Sequence, residues 1–252
     1  MISKKEKHKI VAFPFAGGNE FSFQSIEKFI PSQFEWITLE LPGRGARFAE
    51  DLLYTTEDAV DDLFSQLEPL ILEGSYMLYG HSMGSLLVYE LSKRLVKSNM
   101  PLPFCIYVTG RGGPSKSEKE KLADLPFDLF WKKVSEMGGL PKQFLENNDL
   151  LKLYYPILKS DFKMIESYNY QKLESPLPIP IYVCMGTEEI GENRDKVSIA
   201  QVRDWDNESK FSVIPEFLKG DHFFILEHPE VIAKKICNVF KNRFKKEVSN
   251  NY

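Results

Sequence analysis

The sequence predicts an α/β fold, a mainly parallel sheet with helices on both faces. Three observations carry that reading. Short β-rich apolar runs alternate with longer stretches of helical period, the pattern expected when each buried strand is followed by a covering helix. The run Gly80-His81-Ser82-Met83-Gly84 lies between one such apolar run, Tyr76-Met77-Leu78-Tyr79, and a helix-patterned stretch. The chain has 252 residues and 43% hydrophobic content, enough for one large core that buries roughly 70 to 75% of the extended-chain surface.

Strands are predicted near residues 9–13, 35–39, 75–79, 103–109, 179–185 and 210–214, and helices near 23–29, 56–72, 83–96, 197–205 and 229–244. In the last helix Ile232, Ile236, Val239 and Phe240 recur at helical spacing, so one face of it should lie against the sheet. The segment 112–170 breaks the rhythm: it is long, aromatic and helix-patterned, with no convincing strand. It reads as a helical lid inserted into a single domain that spans 1–252. Phe127, Phe130 and Trp131 form one candidate apolar face. Leu150, Leu151, Leu153, Tyr154 and Tyr155 form a second, and Phe162, Met164, Ile165 and Tyr168 a third. So many large apolar side chains outside the main sheet suggest a roof over a pocket.

Composition narrows the function classes. A net charge of −4 argues against neutralising many phosphates, so no nucleic-acid partner is expected. Cys105, Cys184 and Cys237 are widely spaced in apolar runs, which reads as reduced, buried thiols of a cytoplasmic protein. The apolar run 10–15 is too short for a signal-peptide core, and no run approaches the 18 or so residues of a membrane span. The four histidines, His8, His81, His222 and His228, fit no Cys-x-x-Cys or His-Glu-x-x-His pattern, so no metal site is expected.

The glycines two positions either side of Ser82 are what a nucleophile elbow requires, because a β-carbon there would collide with the adjoining strand and helix. Ser82 is the candidate nucleophile. Taken alone, the motif also fits an ordinary glycine-rich turn carrying an inert serine. A serine hydroxyl needs a general base, and the base an orienting acid. His222, within Gly220-Asp221-His222-Phe223-Phe224, follows the last predicted strand and is the leading base. His81 should pack or steady the turn, His228 precedes Pro229 at a helix start and reads as a surface residue, and His8 lies in a charged segment remote from the chemistry. The oxyanion needs two backbone donors: the N–H of Met83, and a second from the loop Phe13-Pro14-Phe15-Ala16-Gly17-Gly18, where Ala16 is the candidate.

The oxyanion loop, Leu41-Pro42-Gly43-Arg44, the serine motif and the histidine motif together resemble the type II thioesterases that accompany nonribosomal peptide and polyketide synthetases. Medium-chain acyl thioesterases of fatty-acid synthesis are close relatives. The resemblance runs over nearly the whole chain and implies an α/β-hydrolase fold and hydrolysis of acyl thioesters through an acyl-serine intermediate. It implies no cofactor of the enzyme's own, since the acyl group rides on the phosphopantetheine of a partner, an acyl or peptidyl carrier protein domain. A monomer without a membrane partner is expected. Phe130 and Phe162 are the candidate acyl contacts, and Lys132, Lys133, Lys142 and Lys159 the candidate docking charges.

That family usually places its triad acid as the aspartate of a Gly-x-x-Asp turn. Here the turn is Gly186-Thr187-Glu188-Glu189, so the resemblance points to Glu189, with Glu188, Glu192 and Asp195 as rivals. Two other functions compete: a carboxylesterase or lipase acting on free esters, and a non-catalytic module that binds carrier proteins.

Overall fold

The computed structural model of the protein describes residues 7–72, 74–115, 121–193 and 196–250, with side chains up to 242. Its strands are β1 (His8–Phe13), β2 (Phe34–Thr38), β3 (Tyr76–His81), β4 (Ile106–Thr109), β5 (Ile181–Gly186) and β6 (Glu216–Leu218). They form one six-stranded sheet in the order β2-β1-β3-β4-β5-β6, parallel throughout. The chain winds outward from β1 in both directions. A crevice therefore opens beyond the carboxyl ends of β1 and β3, where parallel sheets place their sites.

Alternation along each strand divides the core in two. Val11, Phe13, Leu78, Ile106, Val108 and Val183 pack with α2 (Thr56–Ile71) and α3 (Met83–Lys97). Ile10, Ala12, Met77, Tyr79, Cys105, Tyr107 and Cys184 pack on the other face with α1 (Gln24–Glu27) and α9 (Pro229–Asn250). From α9, Ile232, Ile236 and Phe240 are buried and Val239 half-buried against the sheet. The three cysteines are buried thiols outside any disulfide among the described residues. Burial pushes the Cys184 thiol up to about 12 and that of Cys237 up to about 11, so both stay protonated and unreactive.

The expected strand at 210–214 does not form. Its amides bond elsewhere: Phe211 N–H to Ser209 Oγ at 3.0 Å and Val213 N–H to Asp206 Oδ1 at 2.8 Å. The sheet position beside β5 goes instead to Glu216–Leu218, just past Pro215, with Glu216 opposite Cys184. β-propensity marks residues that suit a pleated surface, not the ones that find a partner. The helix expected over 197–205 is shorter, α7 (Ile199–Arg203), and continues as a 3-10 turn.

Among the described residues between β4 and β5 lie three further helices, α4 (Phe127–Glu136), α5 (Lys142–Leu145) and α6 (Asn148–Ser167). Phe130, Trp131, Val134, Leu151, Leu158 and Phe162 form a core separate from the sheet. The third expected face divides. Met164 and Ile165 join the main core, and the Tyr168 hydroxyl donates to Glu90 Oε1 at 2.5 Å. Leu153, placed in the second face, is exposed. Residues 116–120 of the insertion lie outside the described residues. Among the described residues no helix is long and apolar enough to cross a membrane.

The elbow depends on a close backbone approach. A β-carbon at Gly84 would stand 1.9 Å from the Phe13 carbonyl oxygen, and one at Gly80 would stand 2.4 Å from the Gly84 carbonyl oxygen. No side chain can yield there, since both obstacles are backbone. Gly84→Ala should therefore destabilise the protein by about 1–3 kcal/mol, the usual cost of overpacking a tight site. Urea unfolding of the variant checks this.

Candidate active site

Ser82 joins β3 to α3 with φ 55° and ψ −115°, a left-handed conformation that a non-glycine residue adopts only when its surroundings impose it. Those surroundings are visible. The Ser82 N–H donates to the Thr109 carbonyl on β4 at 2.9 Å, and the buried Ser85 hydroxyl reaches the carbonyls of Gly80 and Thr109, each at 2.9 Å.

His222 comes from the loop between β6 and α8 (Phe224–Glu227), a bend held where Asp221 Oδ1 accepts the Phe223 N–H at 2.7 Å. Its Nε2 lies 2.9 Å from Ser82 Oγ and its Nδ1 2.6 Å from Glu189 Oε1. An ionised carboxylate can only accept. Nδ1 therefore carries the proton, and the bare Nε2 accepts the Ser82 hydroxyl. In this arrangement the imidazole can take the serine proton while the carboxylate stabilises the resulting cation.

Glu189 ends a 3-10 turn, Thr187–Glu189, directly after β5. Its Oε2 accepts the Gly186 N–H at 2.9 Å, so the methylene that distinguishes it from aspartate is taken up by folding the side chain back over its own turn. The Glu189 side chain is 8% exposed and that of His222 22%. Glu188 and Glu192 are exposed at the surface, and Asp195 lies outside the described residues.

The other histidines stand apart from this chain of bonds. His81 is fully buried, with Nδ1 2.9 Å from Thr109 Oγ1 and its ring centroid 5.1 Å from that of His222. Burial first, and the neighbouring His222 second, hold its pKa well below the usual histidine value. His228 Nε2 lies 2.8 Å from the Lys219 carbonyl, and His8 Nδ1 lies 2.6 Å from Ser75 Oγ.

Met83 is the first residue of α3, so its N–H has no intrahelical acceptor and belongs to the positive end of the helix. Ala16 lies in the turn after β1. That loop is pressed on the elbow, with Phe15 edge-on to Phe223 at 5.0 Å and to His81 at 5.8 Å. Phe130 is fully buried in the helical insertion and Phe162 nearly so; their rings meet each other at 5.8 Å, and Ala16 packs against the same cluster. Of the lid lysines, Lys133 pairs with Glu136 and Lys142 with Glu146 along their own helices, and Lys159 lies over the Tyr155 ring.

Asp161 belongs to none of the sequence motifs. It interrupts the core-facing stripe Ile157, Leu158, Phe162, Met164, Ile165 of α6 and is itself buried. A carboxylate at a helical core position was the available signal, since such a group is almost never buried unless paired.

A strained serine at a strand-to-helix elbow, with histidine and carboxylate on two later loops at the same end of a parallel sheet, defines a serine hydrolase of the α/β-hydrolase fold. The sequence model of the family described as Thioesterase domain matches residues 8–239, and the chain belongs to that family. It is 27% identical over 94% of its length to the gramicidin S biosynthesis protein GrsT of Aneurinibacillus migulanus, 90% of which is covered. It is 30% identical over 88% of its length to the linear gramicidin dehydrogenase LgrE of Brevibacillus parabrevis, 83% of which is covered. The solved structure of ClbQ from the colibactin NRPS/PKS pathway has the same fold, with a TM-score of 0.87 at 24% identity over 94% of this chain and 98% of that one.

The lowered pKa of His81 has a stability consequence. Below the ordinary histidine value of 6.5 the unfolded chain binds a proton at this site and the folded chain does not, so stability falls with acidification there. One such group contributes up to about 1.4 kcal/mol per pH unit. Replacing it in His81→Gln should flatten the dependence of unfolding free energy on pH between about 6.5 and 5, measured by urea titrations at successive pH values.

Proposed function

We propose that the protein hydrolyses acyl thioesters carried on the phosphopantetheine arm of acyl or peptidyl carrier domains, releasing acyl groups that block a synthetase. The observation that carries the reading is the continuous chain from Ser82 Oγ through His222 to Glu189, in a chain of the thioesterase family. A relative named for gramicidin S biosynthesis supports that substrate class, and the structural neighbour ClbQ is named for an NRPS/PKS pathway.

Ser82 Oγ attacks the thioester carbonyl carbon as its proton passes to His222 Nε2, and Glu189 steadies the imidazolium. The carbonyl oxygen becomes an anion held by the N–H groups of Met83 and Ala16. The C–S bond then breaks, and the departing thiolate takes the proton from His222. Water repeats the sequence on the acyl-serine, yielding the free acid and restoring the serine. Thiolate leaves readily, so nucleophile, base and oxyanion donors suffice. The acyl chain extends toward the lid cluster containing Phe130 and Phe162, which Ala16 touches.

The name of LgrE speaks of a dehydrogenase, but the relay around Ser82 is nucleophile-activating chemistry. A non-catalytic binding module drew its support from the unusual acid position, and the 2.6 Å contact between Glu189 and His222 removes that support. Free-ester hydrolysis is separated by a panel of acyl-carrier thioesters compared with p-nitrophenyl esters. The carrier substrates should show the higher kcat/KM; hydrolysis of free esters alone would overturn the reading.

Ser82→Ala should fold normally and lose turnover. Glu189→Gln should cost about four powers of ten in kcat, because the carboxamide favours the wrong imidazole tautomer. Steady-state kinetics with circular dichroism checks both.

A further inference from the structure

Ala16 sits in the turn from Phe15 to Gly18, closed by the Gly18 N–H donating to the Phe15 carbonyl at 2.8 Å. With Gly17 at φ 76° the turn is type II, in which the Ala16–Gly17 peptide plane is flipped relative to type I. Glycine tolerates both forms. Something outside the turn must choose.

Asp161 makes that choice. Its Oδ2 accepts the Gly17 N–H at 2.7 Å, which fixes the orientation of the flipped peptide. The same carboxylate is gripped by Arg44, Nη1 to Oδ2 at 2.6 Å and Nη2 to Oδ1 at 2.7 Å. Both side chains are buried, 0% exposed for Asp161 and 4% for Arg44, so each charge depends on the other. The planar fork of arginine aligns both carboxylate oxygens, which a lysine cannot do. Three segments meet here: the turn after β1, the Pro42-Gly43-Arg44 loop after β2, and lid helix α6. Leu158, one turn before Asp161 on α6, closes the space beside Gly17, where a β-carbon would lie 2.9 Å from its Cδ2.

We propose that Asp161, aligned by Arg44, is a positioning residue for the oxyanion hole. By gripping the Gly17 N–H it ties the turn to α6 and so fixes where the Ala16 N–H, on the preceding peptide, stands beside the elbow; the hole is complete only while α6 is seated. The proposal rests on the acyl-serine reading above.

The test uses an alkyl trifluoromethyl ketone. Ser82 Oγ bonds to its carbonyl carbon, the serine proton passes to His222, and the carbonyl electron pair becomes an oxyanion in the hole. Affinity is read by fluorine NMR, beside kcat and KM on butyryl-pantetheine. Arg44→Met combined with Asp161→Leu removes both charges at similar volume, so that neither is left buried alone. The folded double variant should lose about 10- to 100-fold in both ketone affinity and kcat, with KM nearly unchanged, and Arg44→Lys should lose less than the double variant. A folded double variant that binds the ketone as tightly as the unsubstituted protein overturns the proposal, as does a KM that rises while kcat holds. The ketone needs only Ser82, the His222 base and the hole. The comparison therefore decides the proposal even if the natural substrate proves to be a free ester.

Discussion

The backbone of Ser82 holds a conformation that costs about 1–3 kcal/mol, and the elements around the site are arranged to keep it there. β4 takes its N–H through the Thr109 carbonyl, Ser85 ties the Gly80 and Thr109 carbonyls from behind, and β1 presses its last carbonyl onto Gly84. The strain lifts the hydroxyl out of the sheet toward His222. It also starts α3 at once, so that the N–H of Met83, immediately beside Ser82, has no intrahelical acceptor. The proposed nucleophile and anion donor come from a single turn.

The remaining groups arrive on the loops after β1, β5 and β6, and each has its own anchor. Glu189 is bound to Gly186 N–H and His222. His222 sits on the bend held by Asp221, and the turn at Gly17 is held by Asp161. These bonds are worth more here than at the surface because the acid and Asp161 are largely shielded from water, where electrostatic interactions are less screened. His81 contributes by remaining neutral: a second charged imidazole 5.1 Å from His222 would oppose the imidazolium that catalysis requires.

The helical insertion serves two cores. Phe130, Trp131 and Leu158 make its own interior, whereas Met164 and Ile165 at the far end of α6 belong to the sheet. Asp161 stands between them. One helix thereby spans both cores and supplies the buried carboxylate that grips the loop after β1.

Strands β1 to β5, the two covering layers and the roles to be filled were legible in the sequence, because alternation of period two and helical spacing are local and the glycines of the elbow are demanded by sterics within one turn. Ser82 and His222 stood out because each lies on a strand-to-helix connection. Glu189 was reached through resemblance, since four acidic residues crowd that loop and only its path decides which one meets the imidazole. The edge strand at Glu216–Leu218 and the pairing of Arg44 with Asp161, 117 positions apart in the chain, were decided by tertiary structure alone. Edge pairing depends on which amides remain after other partners are satisfied, and a buried ion pair forms only where folding brings two distant charges into one dry space.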